Sequence, residues 1–277
     1  MSENKYTDKQ FYINPVLVSN LDYCIKRQKK KWDNLLIIDG DEGCGKSTLS
    51  WGVGYYWAWK LGKKFTVDNV FFDVGEMLEF ASKNTGEVII WDEAAIEGLS
   101  TEWQNKIQQN LIKNLMVNRK KGHFWIFNIP KFYKLNEYIA VDRSFFLIHV
   151  FSPDNLSRGK YTFHNKNKKE TIYLQYKFAK KKTYHKFKDF YGDFPASYCN
   201  IIDEEAYETK KDAMIMKLAS NDKKPAKDDK TKELRKLYST IPNVLVKDLA
   251  LHAQCSTRTI LKWRKEAAPP KNGEGDA

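Results

Sequence analysis

The chain has 277 residues, 42% of them hydrophobic and 14% aromatic, with a formal net charge of +12. This length accommodates one large α/β domain and a small one, and the apolar fraction excludes general disorder. The positive excess points to a polyanionic partner, nucleic acid first, with an anionic membrane surface or simple solubility as the alternatives.

Residues 1–15 read as an extended lead-in. Leu17, Leu21 and Ile25 follow at four-residue spacing, which predicts a helix over 16–31 that ends in the basic run Arg27–Lys31. The short apolar run Leu35–Ile38 predicts a strand, and glycines follow it at once. Ser47 to Leu61 predicts a helix stopped by Gly62, and further strands are expected at Val70–Phe72, Val88–Trp91, Phe124–Phe127 and Phe145–Phe151. Strands separated by helices predict an α/β domain with a mostly parallel sheet covered on both faces.

Beyond Pro153, Tyr161–Phe163 and Thr171–Leu174 flank a polar stretch and predict a β-hairpin, an extension spanning about 156–195. Lys177–Lys188 interleaves lysine with Phe and Tyr, and 203–219 predicts a helix. The expected domains are a large α/β domain over 1–219, a charged linker over 220–230, a small all-α domain over 231–266 and a disordered tail over 267–277. Cys24, Cys44, Cys199 and Cys255 form no CxxC pair, which argues against a zinc ribbon and against a disulfide framework. The polar N-terminus lacks a signal-peptide core, and no apolar run reaches the ~18 residues of a membrane span. The expectation is a cytoplasmic protein with no membrane span, in the host cytoplasm if the chain is viral.

The segment Gly40-Asp41-Glu42-Gly43-Cys44-Gly45-Lys46-Ser47 matches GxxxxGK[ST] in full and lies between a predicted strand and a predicted helix. Its glycines let backbone N–H groups turn inward, and with the helix N-terminus these donors hold the β- and γ-phosphates of ATP. Lys46 adds a cation, Ser47 offers a hydroxyl to Mg²⁺, and Thr48 follows as part of the same site. Asp41 and Glu42 are expected to point outward, away from the phosphates. The run Val88–Trp91 ends in Asp92 and Glu93. Asp92 at the carboxyl edge of the sheet suits the metal, and Glu93 suits the general base that polarises the attacking water. Asn128 ends the next buried run and is the candidate sensor of the γ-phosphate. Arg119 and Arg143 are the candidate arginine fingers, supplied within the chain or by a neighbouring subunit.

The order of these motifs, with one strand between Lys46 and Asp92 in sequence and the Asp-Glu pair, resembles the additional-strand, catalytic-glutamate class of P-loop NTPases. With Ile89-Ile-Trp-Asp-Glu-Ala94, the helix ending Asn118-Arg119 and the strand ending Asn128-Ile-Pro130, residues 16–155 resemble the zonula-occludens-toxin-like ATPases of phages, plasmids and other mobile elements. More distantly they are similar to the HerA/FtsK DNA-pumping ATPases. The resemblance implies a homo-oligomeric ring or filament that moves, packages or exports DNA. Two departures stand out. The membrane helix of many phage members is absent, and Asn128 stands where Gln is common.

Residues 231–266 read as a second module. Leu234, Leu237 and Tyr238 mark a first helix, Val246–His252 a second, and Ser256 precedes a third that begins Thr257-Arg-Thr. The pattern resembles a helix-turn-helix domain of the recombinase and transposase type. It would turn Ile260 and Trp263 to the core and Thr257, Arg258, Thr259, Lys262 and Arg264 to DNA. A small bundle for protein contact is the alternative. Together these features predict an ATP hydrolase coupled to DNA, for translocation or packaging. An ATP-switched DNA-binding regulator and an ATP-locked interaction protein are the rivals.

Overall fold

Along each central strand, alternate side chains go to opposite faces of one sheet, and each face has its own core. The computed structural model describes residues 12–92, 101–154, 156–195, 197, 201–221, 246–247 and 256–267. Within them, β1 (Asn34–Asp39), β2 (Val70–Phe71), β3 (Val88–Asp92), β4 (Phe124–Ile129), β5 (Phe146–Phe151), β6 (Lys160–His164) and β7 (Phe190–Asp193) form a single sheet. The strand order is β2-β3-β4-β1-β5-β6-β7. The first five strands pair in parallel, and β6 and β7 continue the sheet antiparallel. The fold is therefore α/β with a mostly parallel mixed sheet. Strand β2 precedes β3 in sequence, yet β4 is the strand that lies between β3 and β1.

One face collects Leu36, Ile38, Ile90, Ile126 and Ile148, packed under α1 (Pro15–Lys29) and α2 (Lys46–Lys60). The other collects Leu35, Ile37, Trp91, Trp125 and Phe127 under α3 (Val74–Lys83), α4 (Thr101–Val117) and α5 (Lys166–Ala179). Helix α1 starts where Asn14 accepts the Val16 N–H and Pro15 takes the first turn, and its last turn is basic. Trp57 of α2 stacks on Phe124 of β4 at 3.5 Å between ring centroids, which fixes that helix over the centre of the sheet.

The hairpin expected over 161–174 is corrected. Its first arm is β6, but Thr171–Leu174 lies in the middle of α5. Asn165 caps that helix by accepting the Lys168 N–H, and Lys169 and Ile172 face inward with Tyr173 beside them, a helical spacing. Lys169 is fully buried. Its ammonium donates to the backbone oxygens of Val141 and Ser144 and to Ser144 Oγ, so it closes the carbonyl end of the π-helical turn Tyr138–Arg143. Burial lowers its pKa to about 7.

By its internal contacts the chain divides into two units, Met1–Ile215 and Met216–Ala277, and the division falls within α6 (Glu204–Asn221). In the second unit the described part is the end of α6 over 216–221, Val246–Lys247, and Ser256 with α7 (Thr257–Ala267). The first two helices expected there lie almost wholly outside the described residues, as do the linker from 222 on and the tail from 268. Among the described residues no helix is long and apolar enough to cross a membrane.

Candidate active site

The loop after β1 is shaped by glycines that no other residue replaces without strain. Gly40 has φ +148°, and a Cβ there would stand 2.1 Å from the carbonyl oxygen of Val150 on the neighbouring strand. Gly45, at φ +101°, opens α2, and the ring of Phe194 would meet a Cβ at 3.1 Å. The loop thus runs tight against β5 at its root and under Phe194 at its tip. Asp41 and Glu42 are exposed, as their expected outward orientation requires. Cys44 is buried and its Sγ–H donates to the Asp41 carbonyl at 2.8 Å, a cross-tie within the loop.

Lys46 bends back over this loop, with its Nζ 2.7 Å from the Gly40 oxygen and 2.8 Å from the Asp41 oxygen. Register then explains the company of Ser47. Ile38 of β1, Asn128 of β4 and Asp92 of β3 stand in one row across the sheet. Asp92 and Asn128 share the face that carries α2, so the Asp92 carboxylate reaches the first turn of that helix. Ser47 Oγ donates to Asp92 Oδ2 at 2.7 Å. Asp92 is 5% exposed, and a carboxylate this deep requires donors or a cation. Among the described residues no three His, Cys, Asp or Glu side chains converge. A hard cation here would have Ser47 and Asp92 from the protein and its remaining oxygens from phosphate and water.

Asn128 lies inside β4 and not at its end, with Ile129 still in the strand. Its Nδ2 donates to Ser50 Oγ at 2.9 Å, and Ser50 donates in turn to the backbone oxygen of Ser47. Its Oδ1 is buried with no hydrogen-bond partner. A buried amide oxygen left open beside the loop helix is a polar group in want of a donor.

Tyr207 has no motif to announce it. This side chain from the second turn of α6 is 3% exposed and donates its hydroxyl to Asp92 Oδ2 at 2.9 Å, with Ser47 Oγ at 3.4 Å. Its ring meets Trp51 edge-on at 4.7 Å and tilts against Phe72 at 5.4 Å. Burial, and then the Asp92 charge, push its pKa well above the ordinary phenol value, so it stays a donor. Lys210, one turn on, donates to the carbonyls of Val67 and Val70 at 3.2 and 2.6 Å and seats the same helix.

On the opposite face, Asp39 closes β1 just before Gly40. Its carboxylate accepts from the Phe132 N–H at 3.2 Å, from His149 Nδ1 at 3.0 Å and from the Tyr184 hydroxyl. His149 and Tyr184 stack at 3.7 Å, nearly parallel. Tyr184 belongs to the basic segment Lys177–Lys188, so that segment is tied to the root of the loop. An acid directly after an apolar strand was the available signal for Asp39.

The remaining candidates lie elsewhere. Arg143 forms an ion pair with Asp33, and Arg119 lies over Trp32 at 5.5 Å from its ring centroid. Both partners precede β1, whereas the loop follows it. Six residues at about 3.3 Å each separate the two edges by roughly 20 Å. The expectation of an arginine finger within the chain is therefore corrected: neither arginine can reach its own loop. Glu93 lies outside the described residues. In α7, Thr257, Arg258 and Lys262 are exposed, Arg264 is half-buried and Ile260 is buried, while the side chains of Thr259 and Trp263 lie outside the description. The chain matches no protein-family model, and no curated protein is significantly similar to it.

Proposed function

We propose that the chain is a P-loop ATP hydrolase that binds ATP with Mg²⁺ and couples hydrolysis to DNA, for translocation or packaging in a virus or plasmid. The observation that carries the reading is the Ser47–Asp92 hydrogen bond of 2.7 Å beside a glycine loop that ends in Lys46. The strand order supports it: β4 stands between the loop strand and the acid strand, as in the additional-strand class of P-loop NTPases. The open Oδ1 of Asn128 supports a polar contact at the γ-phosphate or the water. For DNA the support is the charge of +12 and the exposed Arg258 and Lys262 on α7.

In this reading the loop N–H groups and the start of α2 hold the phosphates. Lys46 exchanges the Gly40 and Asp41 carbonyls for β/γ oxygens. Ser47 and Asp92 would hold the cation, and Glu93 would take the proton of the attacking water. A cation bound there would supply positive charge against the phosphate oxygens. Asn128 orients the water or the γ-phosphate through its free oxygen or, with the amide turned, its nitrogen. An arginine finger, if Arg119 or Arg143 serves as one, comes from a neighbouring copy in a homo-oligomer.

The seat of Tyr207 favours a second reading of the same chemistry, an ATP-switched DNA-binding regulator without processive movement. A phenol on the metal carboxylate slows each turnover by requiring α6 to shift. Lys46→Ala should abolish hydrolysis and weaken triphosphate binding, and Asp92→Asn should change the Mg²⁺ dependence. Normal turnover in purified Lys46→Ala protein rules the assignment out. ATP-dependent displacement of a triplex strand by the full chain selects the motor, and its absence alongside ATP-dependent DNA affinity selects the switch.

A further inference from the structure

At the edge of the sheet opposite the glycine loop lies a cleft of about 440 Å³, bounded by the start of β1, the start of β5 and the ends of α1 and α4. Its volume falls in the range of ligand sites. Its chemistry is unlike that of a structural crevice. Arg27, Arg119, Arg143 and Lys166 line it, against Asp33 and Asp142. The Arg143–Asp33 pair cancels itself, which leaves three cations facing one carboxylate.

The two remaining arginines lie over aromatic rings. The Arg27 guanidinium lies 4.9 Å from the Trp32 ring centroid and 4.7 Å from that of Phe145, and its Nε donates to Asn34 Oδ1 at 3.1 Å. Arg119 lies over the same indole, is exposed, and has no carboxylate partner among the described residues. A guanidinium stacked on a ring keeps its N–H groups in the ring-parallel plane, where they meet the two oxygens of a phosphate as a fork. Trp32 is itself 47% exposed, so its indole is open to a partner beside both arginines. Exposed aromatics with forked arginines are the composition of nucleic-acid platforms. The approaches are basic too: Lys29, Lys30 and Lys31 on one side and Lys120 on the other are exposed.

We propose that this cleft is a second phosphate site, which takes the phosphodiester backbone of a nucleic acid on Arg27 and Arg119, with Trp32 as the platform that holds both. The site lies at the edge of the sheet away from the glycine loop. The proposal shares with the preceding reading only the class of partner and needs no hydrolysis.

The test is a fluorescence-anisotropy titration of the full chain with labelled single-stranded and duplex oligonucleotides at several salt concentrations. Nucleotide affinity is measured on the same preparations. Arg119→Gln, an exposed change that leaves the fold intact, should weaken oligonucleotide binding by roughly 10-fold, the scale of one charge-assisted contact. The double variant with Arg27→Gln should weaken it by roughly 100-fold. The salt slope should fall by about 0.7–0.9 for each arginine removed. Arg119→Lys, which keeps charge but loses the fork, should recover only part of the loss. Oligonucleotide affinity and salt slope unchanged in Arg119→Gln overturn the proposal, as does a wild-type chain that binds no oligonucleotide at low salt. A third overturning result is ATPase loss in Arg119→Gln with oligonucleotide binding intact and rescue on mixing with Lys46→Ala subunits, which makes the arginine a finger for a neighbour's nucleotide. A chain that fails to bind ATP, yet loses oligonucleotide affinity in these variants, defeats the ATPase reading and leaves the cleft in place.

Discussion

Replacing Tyr207 with Phe removes one atom from the site and leaves the ring against Trp51 and Phe72. The lost contact is a hydrogen bond of 2.9 Å to a buried carboxylate. Hydrogen bonds to charged groups contribute ~1.5–3 kcal/mol. In the nucleotide-free protein Asp92 then keeps, among the described residues, only Ser47 as a side-chain donor, so that form loses stability by this amount. In the Mg²⁺–nucleotide form of the reading above, the hydroxyl has already left Oδ2, and the substitution costs little. The difference appears as tighter binding, by roughly 10- to 150-fold at ~1.4 kcal/mol per decade, toward the low end where water takes the vacated position. Calorimetric titration of wild type and Tyr207→Phe with ADP in Mg²⁺ and in EDTA measures it, and denaturant melts of the nucleotide-free proteins supply the other side of the cycle. The affinity gain should need Mg²⁺ and should match the loss of stability. Equal affinities in Mg²⁺ would falsify the competition, and weaker binding in the variant would make the phenol part of the bound state.

Glu93→Gln should retain ATP and hydrolyse it at least ~100-fold more slowly in single-turnover assays, since general-base catalysis contributes 10²–10⁴-fold. The depressed pKa of Lys169 makes stability depend on pH with a definite sign. The unfolded chain binds the proton up to about 10.5 and the folded chain only to about 7, so stability should rise above pH 7 and flatten in Lys169→Met when followed by urea melts. Cys24, whose thiol pKa is pushed up by burial, acts oppositely above about pH 9, so the rise is read between 7 and 9. Arg258→Ala should cost roughly 1–3 kcal/mol of DNA affinity and relax sequence preference if its side chain reaches a base edge, which binding to a randomised duplex pool detects.

The features that sequence exposes are those whose partners are near in the chain or fixed by strand geometry. An eight-residue glycine loop and an apolar run ending in acid are local, and parallel strands then bring Ser47 to Asp92. Tyr207 could not be found this way. It stands 115 residues from Asp92, and a lone tyrosine among charged and polar neighbours on a helix carries no signal of a site. Thr171–Leu174 misled because β-branched and apolar residues suit a strand, while the Asn165 cap and the inward row of Lys169 and Ile172 made a helix. Arg119 and Arg143 lie close to the strand motifs in sequence, but parallel strands carry one end of each segment far from the other. Position along a strand, invisible as such in composition, put both arginines on the wrong edge for their own loop.

The sheet has its strongest strands at the centre and its weakest at the described edges. β2 has two residues, and β7 has four, with Gly192 pressed so close to Tyr161 that a Cβ would meet the ring at 2.1 Å. A neighbour seeking to extend the ladder finds too few open amides on either side. Copies of this chain that assemble through the described surface must therefore recognise one another by side chains on helices and loops. Such contacts can be remade at each step of a cycle, whereas a shared sheet would lock them.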